Sequence, residues 1–269
     1  MTYSNFQVSI SEKIAHVSIN RPQKANALHL AAWKELKHVF ETLSAQKEVR
    51  VIVLSGEGKL FCAGIDLELL MSVKDFEQVP SGQRSEQLYA LVRHLQECVT
   101  AIEVCQKPVL AAIHNGCIGG GVDIIAACDL RYCSDDAYFT IKEIDMGMVA
   151  DLGTLQRLPK FIKPAVVAEM AFTGRPVQAL EAFEIGLVNR RFSSKEVMMA
   201  EVMKTAAVIA SKSPLSIRGT KQVLHQSRDH SVAEGLDFIA RWNSTMLLSD
   251  DLTEAFRAVM AKQKPQFED

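Results

Sequence analysis

Val109-Leu110-Ala111-Ala112-Ile113-His114, followed by Asn115 and then Gly116-Cys117-Ile118-Gly119-Gly120-Gly121-Val122-Asp123, carries the strongest signal of the fold. Its opening run is continuously apolar, as expected of a strand covered on both faces. The glycines set a tight turn, and VDIIAACD continues from Val122 as a helix. A strand, a turn and a helix N-terminus in succession leave backbone N–H groups free to meet an anion or a developing oxyanion. The spacing is not G-x-G-x-x-G, so a dinucleotide site is not indicated. Taken alone, the cluster fits a tight turn of no chemical role as well as it fits a site.

Upstream, VIVLS from Val51 is a second apolar run and predicts another inner parallel strand. FQVSI and KIAHVSI read as strands before it, with a helix over Leu28 to Leu43. Ser85 to Val104 predicts a long helix, DLRYCS and AYFTIKE two further strands, and from about Thr154 the pattern is almost wholly helical. Such alternation is the mark of βα units. Pro164, Pro176 and Pro214 fall where helices start, since proline is tolerated in a first turn. SVAEGLDFIARWNSTMLL carries apolar residues at helical spacing, which reads as core or subunit packing.

The 269 residues suit one large α/β body with an appended helical segment, and no repeat or linker marks a boundary. With 48% hydrophobic and 23% charged residues the chain has ample material for a core. A net charge of -2 and a pI near 6.4 give no global reason to bind nucleic acid or an anionic membrane. No stretch reaches the ~20 apolar residues of a membrane span. The six cysteines lack C-x-x-C spacing and are expected reduced and buried. MTYSNFQVSISEKIAHVSI has no apolar signal core, and QFED is not an SKL-type tripeptide, so a cytoplasmic location is the expectation. No H-E-x-x-H, G-x-S-x-G or EF-hand loop is present, and no metal is expected.

Phe61-Cys62-Ala63-Gly64-Ile65-Asp66-Leu67 repeats the logic of the glycine turn: it leaves a strand and opens a helix, offering a second set of free N–H groups. N-R-P-x-K-x-N-A-L (Asn20 to Leu28), F-C-A-G-I-D-L, G-C-I-G-G-G-V-D and the E-x-x-x-G…Q-R-L block from Glu143 to Leu158, in that order, resemble the crotonase (enoyl-CoA hydratase/isomerase) superfamily over essentially the whole chain. The resemblance implies a crotonase-like spiral of ββα units with a C-terminal helical region. Residues 1–200 would form the catalytic core, and 201–269 would serve oligomerisation and active-site cover. It implies an acyl-CoA thioester ligand, with CoA part of the substrate and no separate cofactor. The N–H groups of Ile65 and Gly120 would form the oxyanion hole, and Lys24, Ala63, Gly64 and Asp66 would lie near the bound ligand. Homotrimers or homohexamers are implied as well.

Three acids choose among the reactions of the superfamily. Asp123 stands where hydratases carry a glutamate, Glu143 matches their second glutamate, and Asp151 replaces a glycine in VADLGTLQRL. This set is similar to the dienoyl-CoA isomerases of fatty acid β-oxidation, as is the run RDHSVAEGLDFIARWNSTML. Moving a 3,5-diene to a 2,4-diene removes a proton at C2 and adds one at C6, which two carboxylates spaced along the acyl chain can divide. The match assigns Glu143 to C2 and Asp151 to C6, with Asp123 tuning the pair; the reverse order stays open. Out of that context, Asp123 reads as a helix-start acid, Asp151 as an N-cap for a helix beginning near Leu152, Glu143 as a surface charge, Lys24 as a solvated cation and His114 as a packed histidine. The alternatives are an enoyl-CoA hydratase, a Δ3-Δ2 isomerase, and a noncatalytic acyl-CoA- or RNA-binding homologue.

Overall fold

The computed structural model describes residues 3–268. Strands β1 (Phe6–Ser11) and β2 (Ile14–Ile19) form an antiparallel hairpin, then helix α1 (Leu30–Ala45) leads to β3 (Val51–Gly56). Next come α2 (Leu67–Ser72), α3 (Ser81–Glu103), β4 (Val109–Ile113), β5 (Gly116–Ile118) and α4 (Gly120–Ala126). They are followed by β6 (Leu130–Ser134), β7 (Tyr138–Thr140), α5 (Thr154–Arg157), α6 (Pro164–Thr173), β8 (Val177–Gln178), α7 (Ala179–Glu184) and β9 (Arg190–Phe192). Four helices close the chain: α8 (Lys195–Ala210), α9 (Pro214–Gln226), α10 (Val232–Met246) and α11 (Asp250–Ala261).

The main sheet runs β1-β2-β3-β4-β6-β9, parallel from β2 onward. A smaller sheet of β5-β7-β8 lies beside it, extended by single bridges between Cys62 and Cys117 and between Leu28 and Ile65. Each turn of the chain therefore places one strand in the main sheet and a shorter extended piece in the second layer, then a helix. That is the expected spiral of ββα units.

Period-two side-chain alternation explains why β3 and β4 read as unbroken apolar runs. Ile52, Leu54, Val109, Ala111 and Ile113 enter the main core with Trp33, Phe40, Phe61 and Phe139. Val51, Val53, Leu110 and Ala112 face the other way, onto Met198, Val202, Ala206 and Ala210 of α8. Residue 200 thus falls inside a helix that seals one face of the sheet. All six cysteines are buried and free.

Some expectations need correction. Pro164 and Pro214 occupy first turns, whereas Pro176 precedes the short strand β8 and α7 starts only at Ala179. AYFTIKE is strand only through Thr140, because the chain turns into a 3-10 segment, Glu143–Met146. The long helix begins at Ser81, not Ser85, since Pro80 pre-sets the backbone before its first turn.

Candidate active site

Paired extended pieces bring the two glycine turns together. Cys62 donates its N–H to the Gly116 carbonyl at 3.1 Å, and Ile118 returns one to the Cys62 carbonyl at 3.0 Å. The turns at Gly64-Ile65 and Gly119-Gly120 leave these neighbours on the same side. Gly64, at φ 86°, has no room for a side chain: a Cβ there would lie 2.6 Å from the Ile118 carbonyl oxygen and 2.8 Å from the Gly120 nitrogen. Leu28 pairs with the carbonyl of Gly64 and the N–H of Asp66, which in a parallel bridge turns the Ile65 N–H the opposite way. Among the described residues, neither the Ile65 nor the Gly120 N–H has an acceptor.

Glu143 reaches this turn because Gly119 donates to the Thr140 carbonyl at 2.9 Å, tying β7 to it three residues before the acid. A Cβ on Gly119, at φ 52°, would stand 3.1 Å from Glu143 Oε1. Asp123 lies in the first turn of α4, 1% exposed; its Oδ1 accepts the Thr154 N–H at 2.6 Å. Among the described residues, Asp123 Oδ2, Glu143 Oε2 and the Thr154 hydroxyl are all buried without hydrogen-bond partners. Buried polar atoms are rarely left so, and three in one place mark a site for chemistry.

Electrostatics agrees with that geometry. Burial, opposed by the Thr154 contacts and reinforced by Asp151, lifts Asp123 to about 6. Burial first, then repulsion from Asp123 and Asp151, lifts Glu143 to about 7. Asp151 is also raised, by burial of its carboxyl, although the residue as a whole is exposed. It stands three residues before Thr154, which binds Asp123, and its charge reaches both Asp123 and Glu143. It does not cap α5, whose N-cap is Gly153; instead its carbonyl accepts from Gln96 Nε2 at 2.7 Å.

The residues expected near the ligand divide. Lys24 is exposed and pairs with Glu68 at 3.3 Å across the mouth between the two loops. Ala63 is half-buried and donates its N–H to the Ala25 carbonyl. Asp66 is 5% exposed; it caps α2 through Glu68 N–H at 3.1 Å and pairs with Arg21 at 3.0 Å. Burial alone would raise its carboxyl, but the Glu68 N–H, Arg21 and Lys24 outweigh burial and hold it below the usual range. Its side chain is thus committed to joining loops. His114 is packed, its Nε2 3.0 Å from the Gly58 carbonyl oxygen.

Three supporting residues escaped the sequence reading. Asn26, fully buried, donates Nδ2 to the carbonyls of Glu57, Leu60 and Phe61 and accepts the Arg21 N–H on Oδ1, sewing the first motif to the second. Trp33 packs behind Gly120, and Thr154 holds Asp123. Asn26 belongs to the first motif, and its α-left conformation, φ 54°, is one that Asn tolerates; the other two gave no polar or spacing signal.

Buried Asp123 and half-buried Glu143 beside two adjoining glycine turns, on a ββα spiral, define a class. The family model of enoyl-CoA hydratase/isomerase matches residues 9–269, and the chain belongs to that family. Within it, the chain is 50% identical to the peroxisomal Delta(3,5)-Delta(2,4)-dienoyl-CoA isomerase of Arabidopsis thaliana over 94% of this chain and 92% of that one. It is 46% identical to the mitochondrial protein of the same name from Mus musculus, over 97% of this chain and 81% of that one. An enoyl-CoA hydratase structure from Bacillus anthracis superposes with a TM-score of 0.89 at 27% identity, covering 98% of this chain and 99% of the other.

Proposed function

We propose that this chain is a Δ3,5-Δ2,4-dienoyl-CoA isomerase of fatty acid β-oxidation. One observation supports the reading: a third carboxyl, Asp151, stands three residues before Thr154, whose N–H Asp123 accepts, and its charge reaches both Asp123 and the half-buried Glu143. Hydration needs a pair of acids to hold one water, whereas moving two double bonds needs proton transfer at two separated carbons. The similarity to named isomerases at 46% to 50% identity supports the same choice.

In this reading the thioester oxygen accepts the N–H groups of Ile65 and Gly120, each donor worth ~3 kcal/mol to a developing oxyanion. Ionised Glu143 takes a proton from C2; the electron pair left behind spreads over the thioester and diene as a dienolate. Protonated Asp151 then delivers its proton to C6, leaving the 2,4-diene, with Glu143 protonated and Asp151 ionised. Glu143, raised to about 7, suits a base that accepts and releases a proton near neutral pH, and burial shifts Asp151 upward, the direction a proton donor needs. Asp123, whose charge raises Glu143, tunes the pair. The CoA portion would lie by Lys24, Ala63 and Gly64, with Asp66 shaping that loop through Arg21, and CoA being substrate no separate cofactor is required.

Exposed Leu236, Leu247, Leu248, Phe256, Val259 and Met260 on and between α10 and α11 support assembly into trimers or hexamers through the C-terminal helices. Among the described residues no helix is long and apolar enough to cross a membrane. The cytoplasmic expectation draws no support from the relatives, whose names place them in peroxisomes or mitochondria, and an organellar location is the better proposal. An ultraviolet assay comparing a 3,5-dienoyl-CoA with crotonyl-CoA tests the activity. Rapid formation of the 2,4-diene, conjugated with the thioester, with little hydration of crotonyl-CoA is expected; efficient hydration with no diene shift would make the chain a hydratase.

A further inference from the structure

Asp151 belongs to an irregular stretch, residues 148–153, between the 3-10 segment and α5. Its neighbours Ala150 and Leu152 are each 5% exposed and anchor the stretch to the core, while Asp151 between them stays exposed. Surface loops move more than the elements they join, so an acid that must meet one carbon of a bound chain needs its loop held. One face of α3 does the holding. Gln96, Thr100 and Glu103 stand at i, i+4 and i+7 of that helix and so share a face. Gln96 donates Nε2 to the Asp151 carbonyl at 2.7 Å. Thr100 and Glu103 grip the Arg157 guanidinium at 3.1 and 2.8 Å, and its Nη1 donates to the next carbonyl, that of Leu152, at 3.1 Å. Successive peptide groups of the loop are thereby tied to a single helix. Among the described residues no main-chain N–H donates to the Asp151 carbonyl, so the side chain of Gln96 fixes that peptide. Arg93 Nη1 donates to Gln96 Oε1 at 2.8 Å, which settles which end of the amide faces the loop. The Asp151 carboxyl leans on its own main-chain N–H, and where the peptide turns the acid turns with it.

We propose that Gln96 is a positioning residue that aims Asp151 at C6 and so decides which carbon of the dienolate receives the proton. The inference rests on the isomerase reading, in which Asp151 serves C6. Removing a proton from C2 of a 3,5-diene spreads the electron pair over alternate carbons, and the dienolate can be protonated at C2, C4 or C6. Return at C2 restores the substrate, C4 gives a 2,5-diene and C6 gives the 2,4-diene. Each outcome forms one C–H bond with the acid's proton, leaves that acid ionised, and returns the remaining electrons to the thioester C=O and two C=C bonds. C4 and C6 lie only two bonds apart, and a displacement of about 1 Å, enough to cost a well-placed group about 100-fold, changes which of them the carboxyl meets. A loop held through its main chain by α3 keeps that aim without spending the carboxyl on a partner.

The experiment is product analysis at early turnover of the full-length protein on a 3,5-dienoyl-CoA, with 2,4- and 2,5-dienoyl-CoA separated by reversed-phase chromatography. Gln96→Met keeps the length of the side chain and its fitness for a helix while removing the donor. The wild type is expected to release the 2,4-diene with a trace of the 2,5-isomer. Gln96→Met should raise the 2,5-share about tenfold and lower kcat for the 2,4-diene about tenfold, with KM little changed. Arg93→Ala, which frees the Gln96 amide to turn over, should move the product ratio the same way by less. Damage that merely loosened the helix would slow protonation at every carbon alike and leave that ratio where it was. An unchanged ratio in Gln96→Met, whatever its turnover, would therefore overturn the proposal. Should Gln96→Met not fold, Gln96→Ala, which also lacks the donor, carries the same comparison. A wild type that forms no 2,4-diene would refute the isomerase reading, whereas an active wild type whose ratio the variants do not move refutes the role of Gln96 alone.

Discussion

Replacing Glu143 by Gln should make the protein more stable and nearly inactive at once. Burial first, then repulsion from Asp123 and Asp151, raises this carboxyl from an ordinary 4.5 to about 7 in the folded protein. Between those two values the folded state holds a proton that the unfolded chain has released, so stability falls as pH rises through the window. Below about pH 4.5 both states are protonated and the penalty is absent; above about 7 it applies in full. At about 1.36 kcal/mol per pH unit the penalty comes to ~3 kcal/mol, an upper figure because the acids relax together when one is removed. Glutamine keeps the shape and cannot ionise, so Glu143→Gln should gain ~2–3 kcal/mol at pH 8 and almost nothing at pH 4.5. With about 2.1 cal/mol/K of unfolding entropy per residue, that is a rise of roughly 4–5 °C in Tm for a chain of this length. Differential scanning calorimetry at both pH values reads it, alongside a diene-conjugation assay in which activity should fall ~100- to 10,000-fold. Equal stability changes at the two pH values would contradict this account, since they would mean that Glu143 carries no ionisation penalty in the fold.

Asp151→Asn should leave the circular dichroism spectrum near that of the wild type and Tm no lower, because an amide there loses the ionisation penalty that burial puts on the carboxyl, while isomerisation collapses ~100-fold or more; near wild-type turnover would remove Asp151 from the shuttle. For the wild type, kcat/KM on a 3,5-dienoyl-CoA should decline about tenfold per pH unit below about 7, as the free enzyme's Glu143 takes up its proton; a flat profile down to pH 5 would assign the base elsewhere. Asn26→Ala should cost ~2–4 kcal/mol in a denaturant titration, since it strands the carbonyls of Glu57, Leu60 and Phe61 in a buried loop junction, and a loss under ~0.5 kcal/mol would show that water replaces the amide.

The parts of the fold legible in advance were those with local causes. Val51 to Leu54 and Val109 to Ile113 announced inner strands because both of their faces meet apolar layers, the main core on one side and α8 on the other. Gly64 and Gly119 announced turns because their backbones take φ of 86° and 52°, which side chains resist. Pro176 misled because proline fits a helix start and a turn into a short strand equally well, and the choice between them is made by Phe139 of β7 pairing with Val177. The out-of-context alternative for Asp151, a helix cap, does not hold for a related reason: the N-cap of α5 is Gly153, whose φ is 124°.

The order of residues along the chain was enough to set the alternation of strands and helices, the two glycine turns with free amides, and the acids available for chemistry. It could do so because hydrophobic period, chain-reversing glycines and residue type are properties of neighbours along the chain. It took the folded arrangement to lay the turns against each other, to bury Asp123 against Thr154, to bring Glu143 up to Gly119 and to commit Asp66 to Arg21. Those outcomes depend on burial and on distances between residues far apart in the chain, and a carboxyl's ordinary affinity for its proton is changed by its surroundings in space, not by its neighbours in sequence.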